Sequence, residues 1–215
     1  MKNIPVFVLL FIACFSGSAQ TMTDSIQQLD EVVISDTKLI NYASGIKVEV
    51  LNDSVLQRNS KSLTGLLAFN SNLYFKENGY GMVSSPSFRG TNASQTAVIW
   101  NGININSQLN GQTDFNTINT NNFNSIAIRS GGGSVQYGSG AIGGSIHLNN
   151  KLAFNTHFSN TVQLSYGSFN TKQAAFNTSS GTDEFSVNAG VYYIGSDNDY
   201  KYLGTDKVNE NGEFG

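Results

Sequence analysis

The sequence predicts a small α+β domain followed by antiparallel β-strands, and three observations carry that prediction. Up to Leu148, short β-branched runs are interspersed with one set of leucines at helical spacing. Beyond it, apolar and polar residues alternate over three segments, as they do along half-buried strands. Charged residues are only 13% of the 215, against roughly 25% in ordinary globular chains, so Asn, Ser, Thr and Gln carry the polarity, with 22 glycines between them. A net charge of -3 without a basic patch excludes an electrostatic footprint for nucleic acid.

Residues 1–19 read as a signal peptide: Lys2 supplies the positive charge, residues 5–15 the apolar core, and Gly17-Ser18-Ala19 the small residues for cleavage before Gln20. That core is too short to span a bilayer, and no later run approaches the roughly 18 apolar residues of a transmembrane helix. Membrane insertion would therefore have to use strands. Cys14, the single cysteine, lies inside the signal, so the mature chain is expected to hold neither disulfide nor thiolate metal site. An acylated Cys14 is the alternative, with Phe11 where a leucine is usual three residues earlier.

Residues 20–40 form an N-terminal segment in which polar residues 21–28 precede Leu29-Asp30-Glu31-Val32-Val33-Ile34-Ser35. This short β-branched run is either a plain edge strand or an extended segment free to add to another protein's sheet. Residues 41–150 form the α+β domain. A strand is expected over 46–51, and then Ser60-Lys61-Ser62 precedes a helix on Leu63, Leu66 and Leu67 that ends near Phe69-Asn70. Strands follow at 73–75, 97–100, 125–129 and 145–148, with a Gly-rich loop over 77–86 and a hairpin turn at Asn101-Gly102. In residues 151–215, strands are expected over 158–166, 172–179 and 184–194, a tight turn over 179–183, and a long polar loop from 196 onward. Val162, Leu164 and Tyr166 alternate with Thr161, Gln163 and Ser165, and Val187, Ala189, Val191 and Tyr193 with Ser186, Asn188, Gly190 and Tyr192. That pattern suits a soluble sandwich, or a barrel in lipid whose apolar residues face hydrocarbon and whose polar ones line the interior.

Little in the chain carries chemistry. Gly138-Ser139-Gly140-Ala141-Ile142-Gly143 fits the dinucleotide fingerprint in letter, but Ser145-Ile146-His147-Leu148 after it reads as strand where that motif opens a helix. These glycines, with Gly131-Gly132-Gly133, are expected to serve positive φ and close backbone approach. His147 and His157 lack partners at metal-ligand spacing, and Asp197, Asp199 and Asp206 lack the rhythm of a calcium loop. With no nucleophile elbow or zinc-protease motif, an enzyme, a cofactor and a metal site are not expected.

One set of motifs is specific in combination. Ser87-Phe88-Arg89-Gly90-Thr91-Asn92-Ala93-Ser94, then Val98-Ile99-Trp100-Asn101-Gly102-Ile103, then Gly138 to Gly144 follow in the order found in the plug of TonB-dependent outer-membrane receptors, and the chain resembles that family over about residues 29–148. The resemblance implies an α+β plug domain (41–150) followed by the first antiparallel strands of a truncated transmembrane β-barrel (151–215). Closed barrels need at least about 8 strands, so the chain reads as an N-terminal fragment with an incomplete barrel. It further implies that residues 29–35 are the TonB box seized by a TonB-type energy-coupling protein. Arg89 and Arg129 match positions that pair with glutamates of the barrel wall; those partners would lie beyond Gly215, leaving both arginines solvated or poorly satisfied. Ligand contacts fall on apical loops 77–83 and 104–114, with Tyr80 and Met82 offering apolar surface and Gln108, Asn110 and Gln112 hydrogen bonds. The function implied is active uptake across the bacterial outer membrane, with outer-membrane lipid around the barrel, of a small ligand such as cobalamin or a ferric siderophore. A secreted all-β adhesin or carbohydrate-binding module is the rival. Two departures from the family stand out: Asn101 where an Asp is common, and Ser130-Gly131 where Gly-Pro is usual.

Overall fold

The computed structural model describes residues 47–58, 62–77, 79–131, 137–138, 140–210 and 212–213, all within one unit spanning 34–215. The expected signal peptide, Cys14, the 29–35 run, Ser60, Lys61, Gly132, Gly133 and Ser139 lie outside the described residues.

The first half is built on a five-stranded sheet. Strand β1 (Val48–Asn52) leads into helix α1 (Asp53–Arg58), helix α2 (Leu63–Asn70) and the ribbon of β2 (Tyr74–Glu77) with β3 (Ser84–Ser87). Then come β4 (Thr96–Trp100), β5 (Ile103–Asn104), β6 (Ser125–Ser130) and β7 (Gly144–Asn149), and the sheet order is β1-β6-β7-β4-β5. Only β4 with β7 is parallel.

Register explains the core. Ile126 faces Leu148 and Ile128 faces Ile146, which also neighbours Val98, so these side chains share one face of the sheet. Leu63, Leu66 and Leu67 of α2 and Phe115 close over that face, all buried. Each such side chain contributes about 1.5–3 kcal/mol on leaving water. Helix α2 is bounded as its sequence suggests: Ser62 Oγ accepts from Gly65 N (3.2 Å), and Asn70 Nδ2 and Ser71 Oγ donate to the Leu66 and Leu67 carbonyls (2.8 and 2.6 Å).

Strands β8 (His157–Gly167), β9 (Thr171–Gly181) and β10 (Ser186–Gly195) form a second, antiparallel sheet in the order β10-β9-β8. Val162, Phe176 and Val191 stand in one cross-strand row, and Leu164, Ala174 and Tyr193 in the next. Both rows lie on a face turned away from the plug, where Val162 is 66%, Leu164 77% and Val191 73% exposed. The polar face turns inward. A soluble sandwich would pack its apolar face inward; here it is the polar face that meets the plug.

Three readings need correction. Residues 53–58 form α1, for which no element was expected: six residues are too few to show a helical period. The stretch 77–86 is not all loop, because β3 occupies its end with Pro86 opposite Phe75. A two-stranded ribbon has only edge strands, where proline is tolerated. The turn between β9 and β10 spans 182–185 rather than 179–183, closed by Thr182 N donating to the Phe185 carbonyl (2.7 Å).

Candidate functional site

The motif at 87–94 is a braced turn. Arg89 (φ 47°) and Gly90 (φ 83°) are both left-handed, and Thr91 N donates to the Phe88 carbonyl (2.9 Å). Ser87 Oγ donates to the Thr91 carbonyl (2.7 Å), and Phe88 N donates to Thr91 Oγ1 (3.2 Å). Asn92 then opens the 3-10 turn Ala93–Gln95, its N–H donating to Gln95 Oε1 (2.9 Å). The glycine-rich run is the other half of the same unit. Gly143 N donates to the Gln95 carbonyl (2.9 Å), and Gly131 N to the Gly143 carbonyl (2.8 Å). A Cβ on Gly143 would strike Thr91, and one on Gly144 the Arg129 carbonyl and the Phe88 ring. Two motifs far apart in the chain thus meet because glycine permits the approach.

The two arginines separate. Arg89 is exposed on its turn. Arg129 is buried at 1% exposure on the second face of the sheet, opposite Ser145 in register; Nε and Nη1 make no hydrogen bond there, although the side chain interacts with its surroundings. Beside it, His147 is buried with Nε2 2.9 Å from Ser145 Oγ and its ring edge-on to Tyr137 at 4.7 Å. Burial, and secondarily the Arg129 charge, lower its pKa to about 4, so the imidazole is neutral at physiological pH. His157 Nδ1 and Nε2 lie 2.8 Å from the Asn155 carbonyl and from Ser179 Oγ, a structural role. Among the described residues no group of three His, Cys, Asp or Glu is placed to hold a metal ion. Asp197 is engaged by Asn170 Nδ2 (3.3 and 3.1 Å).

Of the ligand candidates, Tyr80 and Met82 share the turn 79–82, and Gln108, Asn110 and Gln112 share the loop 105–114. The loops are joined by residues outside the candidate set. Asp114 Oδ1 accepts from Ser84 N and Asn116 N (both 3.0 Å), and Asn116 Nδ2 donates to the Met82 carbonyl and to Glu77 Oε1 (both 2.6 Å). Asn106 stands in for a strand: Val98 N donates to its Oδ1 (2.7 Å), while its Nδ2 donates to the Thr96 and Gly111 carbonyls (2.9 and 2.7 Å). Asp before a 3-10 turn was the legible sign for Asp114; a bracing Asn within an Asn-rich loop had none. Tyr80 is held from the wall side. Gln173 Nε2 donates to its hydroxyl oxygen (3.1 Å) and Asn198 Nδ2 to its carbonyl (3.0 Å). Burial raises the Tyr80 pKa, opposed by the Gln173 hydrogen bond and reinforced by the Glu77 charge.

Further hydrogen bonds join plug to wall. Tyr192 Oη donates to the Thr117 carbonyl (3.0 Å), and Asn121 Nδ2 to Gln163 Oε1 (2.5 Å). Within the plug, Asn101 and Asn150 pair reciprocally: Asn101 Nδ2 donates to Asn150 Oδ1 (3.1 Å), and Asn150 N donates to Asn101 Oδ1 (2.8 Å). Trp100 Nε1 also donates to Asn150 Oδ1 (2.6 Å). Asn101 and Gly102 supply the two left-handed residues of the β4–β5 hairpin, as expected. The amide donor that Asn brings where Asp is common is used.

A globular stopper hydrogen-bonded to the polar face of strands whose apolar face turns outward is the architecture of an outer-membrane transporter. The sequence matches the TonB-dependent Receptor Plug Domain over residues 38–145, and the chain belongs to that family. Its members are transporters rather than enzymes and reside in the bacterial outer membrane. The Vitamin B12 transporter BtuB of Vibrio vulnificus (strain YJ016) is 28% identical over 153 residues, 71% of this chain and 23% of that relative. The fold is shared with the copper transporter OprC (TM-score 0.61, 17% identity, 72% of this chain and 25% of that one). It is shared as well with the pyoverdine outer membrane receptor FpvA from Pseudomonas aeruginosa PAO1 (TM-score 0.57, 14% identity, 70% and 22%). The chain therefore spans about a quarter of the length of these relatives.

Proposed function

We propose that the chain is the N-terminal part of a receptor for energy-dependent uptake of cobalamin or a ferric siderophore. The observation that carries this reading is the opposed facing of β8–β10, polar toward the plug and apolar outward, which suits a wall in lipid around a stopper. The relative that transports vitamin B12 and the fold shared with a pyoverdine receptor support these two ligand classes. Ligand docks on the loops bearing Tyr80, Met82, Gln108, Asn110 and Gln112, which Asp114 and Asn116 join into one surface. Arg89 and Arg129 bind the plug to the wall.

Residues Leu29 to Ser35 then serve as the box that a TonB-type coupling protein takes up as an added strand, and the pull displaces the plug. Deleting residues 29–35 from the full-length receptor tests the reading. Loss of energy-dependent uptake with surface binding of ligand retained is expected; unchanged uptake contradicts it.

A further inference from the structure

The plug turn that carries Tyr80 and Met82 is held from two sides, and one of its holders belongs to the wall. Met82 N closes the turn by donating to the Gly79 carbonyl (3.0 Å), with Gly79 (φ 126°) and Gly81 (φ 77°) both left-handed. Two glycines in so short a stretch leave the chain little conformational preference of its own, so bonds from outside decide its shape. From the plug, Asn116 Nδ2 donates to the Met82 carbonyl (2.6 Å). From the segment after β10, Asn198 Nδ2 donates to the Tyr80 carbonyl (3.0 Å), 118 residues away in the chain.

Asn198 is itself firmly placed. It is 1% exposed although it lies beyond the last strand, and its backbone is left-handed (φ 50°), a conformation that Asn tolerates better than most residues. On one side, Ser196 Oγ and Asp197 N both donate to the Phe169 carbonyl at the β8–β9 turn (3.0 Å each), and Asn198 N donates to Ser196 Oγ (3.2 Å). On the other, Asn209 Nδ2 donates to the Asn198 carbonyl (2.9 Å), and an antiparallel bridge between Lys201 and Val208 folds the segment back on itself. Tyr200 continues this platform, its Oη 3.4 Å from the place a Cβ on Gly79 would take. We infer that Asn198 is a positioning residue of the apical surface: it fixes the Tyr80 turn to the wall, so plug and wall together set the shape presented to a ligand. Because the bond goes to a backbone carbonyl, the grip does not depend on the side chain at position 80. The inference rests on the proposed docking of ligand at this turn and deepens it.

Hydrogen exchange of the full-length receptor in outer-membrane vesicles, read at the amides of residues 79–82, tests the grip. Asn198→Gly deletes the amide and keeps the left-handed backbone accessible, while Asn198→Asp keeps the size but cannot donate when ionised. Each should speed exchange at 79–82 at least about tenfold, as a local opening that has lost one of its holds, with β6 and β7 at parental rates. Asn209→Ala should act in the same direction but less, through Asn198, whereas Asn101→Asp, which deletes an amide donor elsewhere in the plug, should leave the turn unchanged. Equilibrium binding of cyanocobalamin and of ferric pyoverdine to de-energised vesicles tests the consequence. For whichever probe the parent binds, both Asn198 variants should raise Kd at least about tenfold, through lost preorganisation, with the number of sites unchanged. Parental exchange at 79–82 in both Asn198 variants, or faster exchange with an unchanged Kd, overturns the inference. If the parent binds neither probe, the proposed ligand classes fail and the exchange result alone decides the grip.

Discussion

The plug sheet and the wall sheet use residues of the same kinds in opposite senses. In the plug, Ile126, Ile146 and Leu148 point inward and are covered by Leu63, Leu66 and Leu67. In the wall, Val162, Leu164 and Val191 point outward and stay open, while Gln163, Gln173 and Tyr192 turn toward the plug. The alternation is one signal; what differs is the solvent each apolar face is built for. Water drives the first face into a core. The second is covered by hydrocarbon, which asks of a strand only that its backbone bonds be met by neighbours.

The contrast can be broken at several points. Leu66→Ala removes a fully buried side chain and should destabilise the plug by about 2–5 kcal/mol, read as a lowered plug transition in thermal unfolding of the purified receptor. Val162→Arg puts a charge on the outward, lipid-side face and should cost up to about 2–4 kcal/mol, seen as reduced assembly in the outer membrane; the same change at inward-facing Thr161 should leave assembly intact. Acid should weaken the plug. His147 has a folded pKa of about 4 against 6.5, so its stabilising contribution is complete above pH 6.5 and is lost as pH falls from there toward 4, by at most about 3 kcal/mol. His147→Gln should flatten that slope in plug unfolding followed against pH. The smallest effect belongs to Asn101→Asp, which deletes the donor to Asn150 and should cost about 1 kcal/mol in the same unfolding measurement.

The elements that the sequence made legible are those in which one local rule decides. Leu63, Leu66 and Leu67 mark their helix by spacing, Ser62 caps it, Asn101-Gly102 turns the hairpin, and the three wall strands follow from period two. Helix α1 and strand β3 were hidden, the first by shortness and the second by Pro86, whose unpaired edge only tertiary structure reveals. The direction of the apolar wall face was not legible either, since sandwich and barrel share one pattern. At the site, Tyr80 and Met82 could be placed on a loop, but their bracing by Asn116, Gln173 and Asn198 depends on contacts between 34 and 118 residues apart in the chain.

Accessibility of spin labels placed singly along residues 158–166 of the full-length receptor in lipid bilayers tests the opposed facing most directly. Labels at Val162, Leu164 and Tyr166 should be relaxed by oxygen dissolved in the hydrocarbon, and labels at Thr161, Gln163 and Ser165 by a water-soluble nickel chelate, with a period of two. Uniform access to the aqueous reagent, or the reverse phase, would contradict a wall in lipid around a polar-faced stopper.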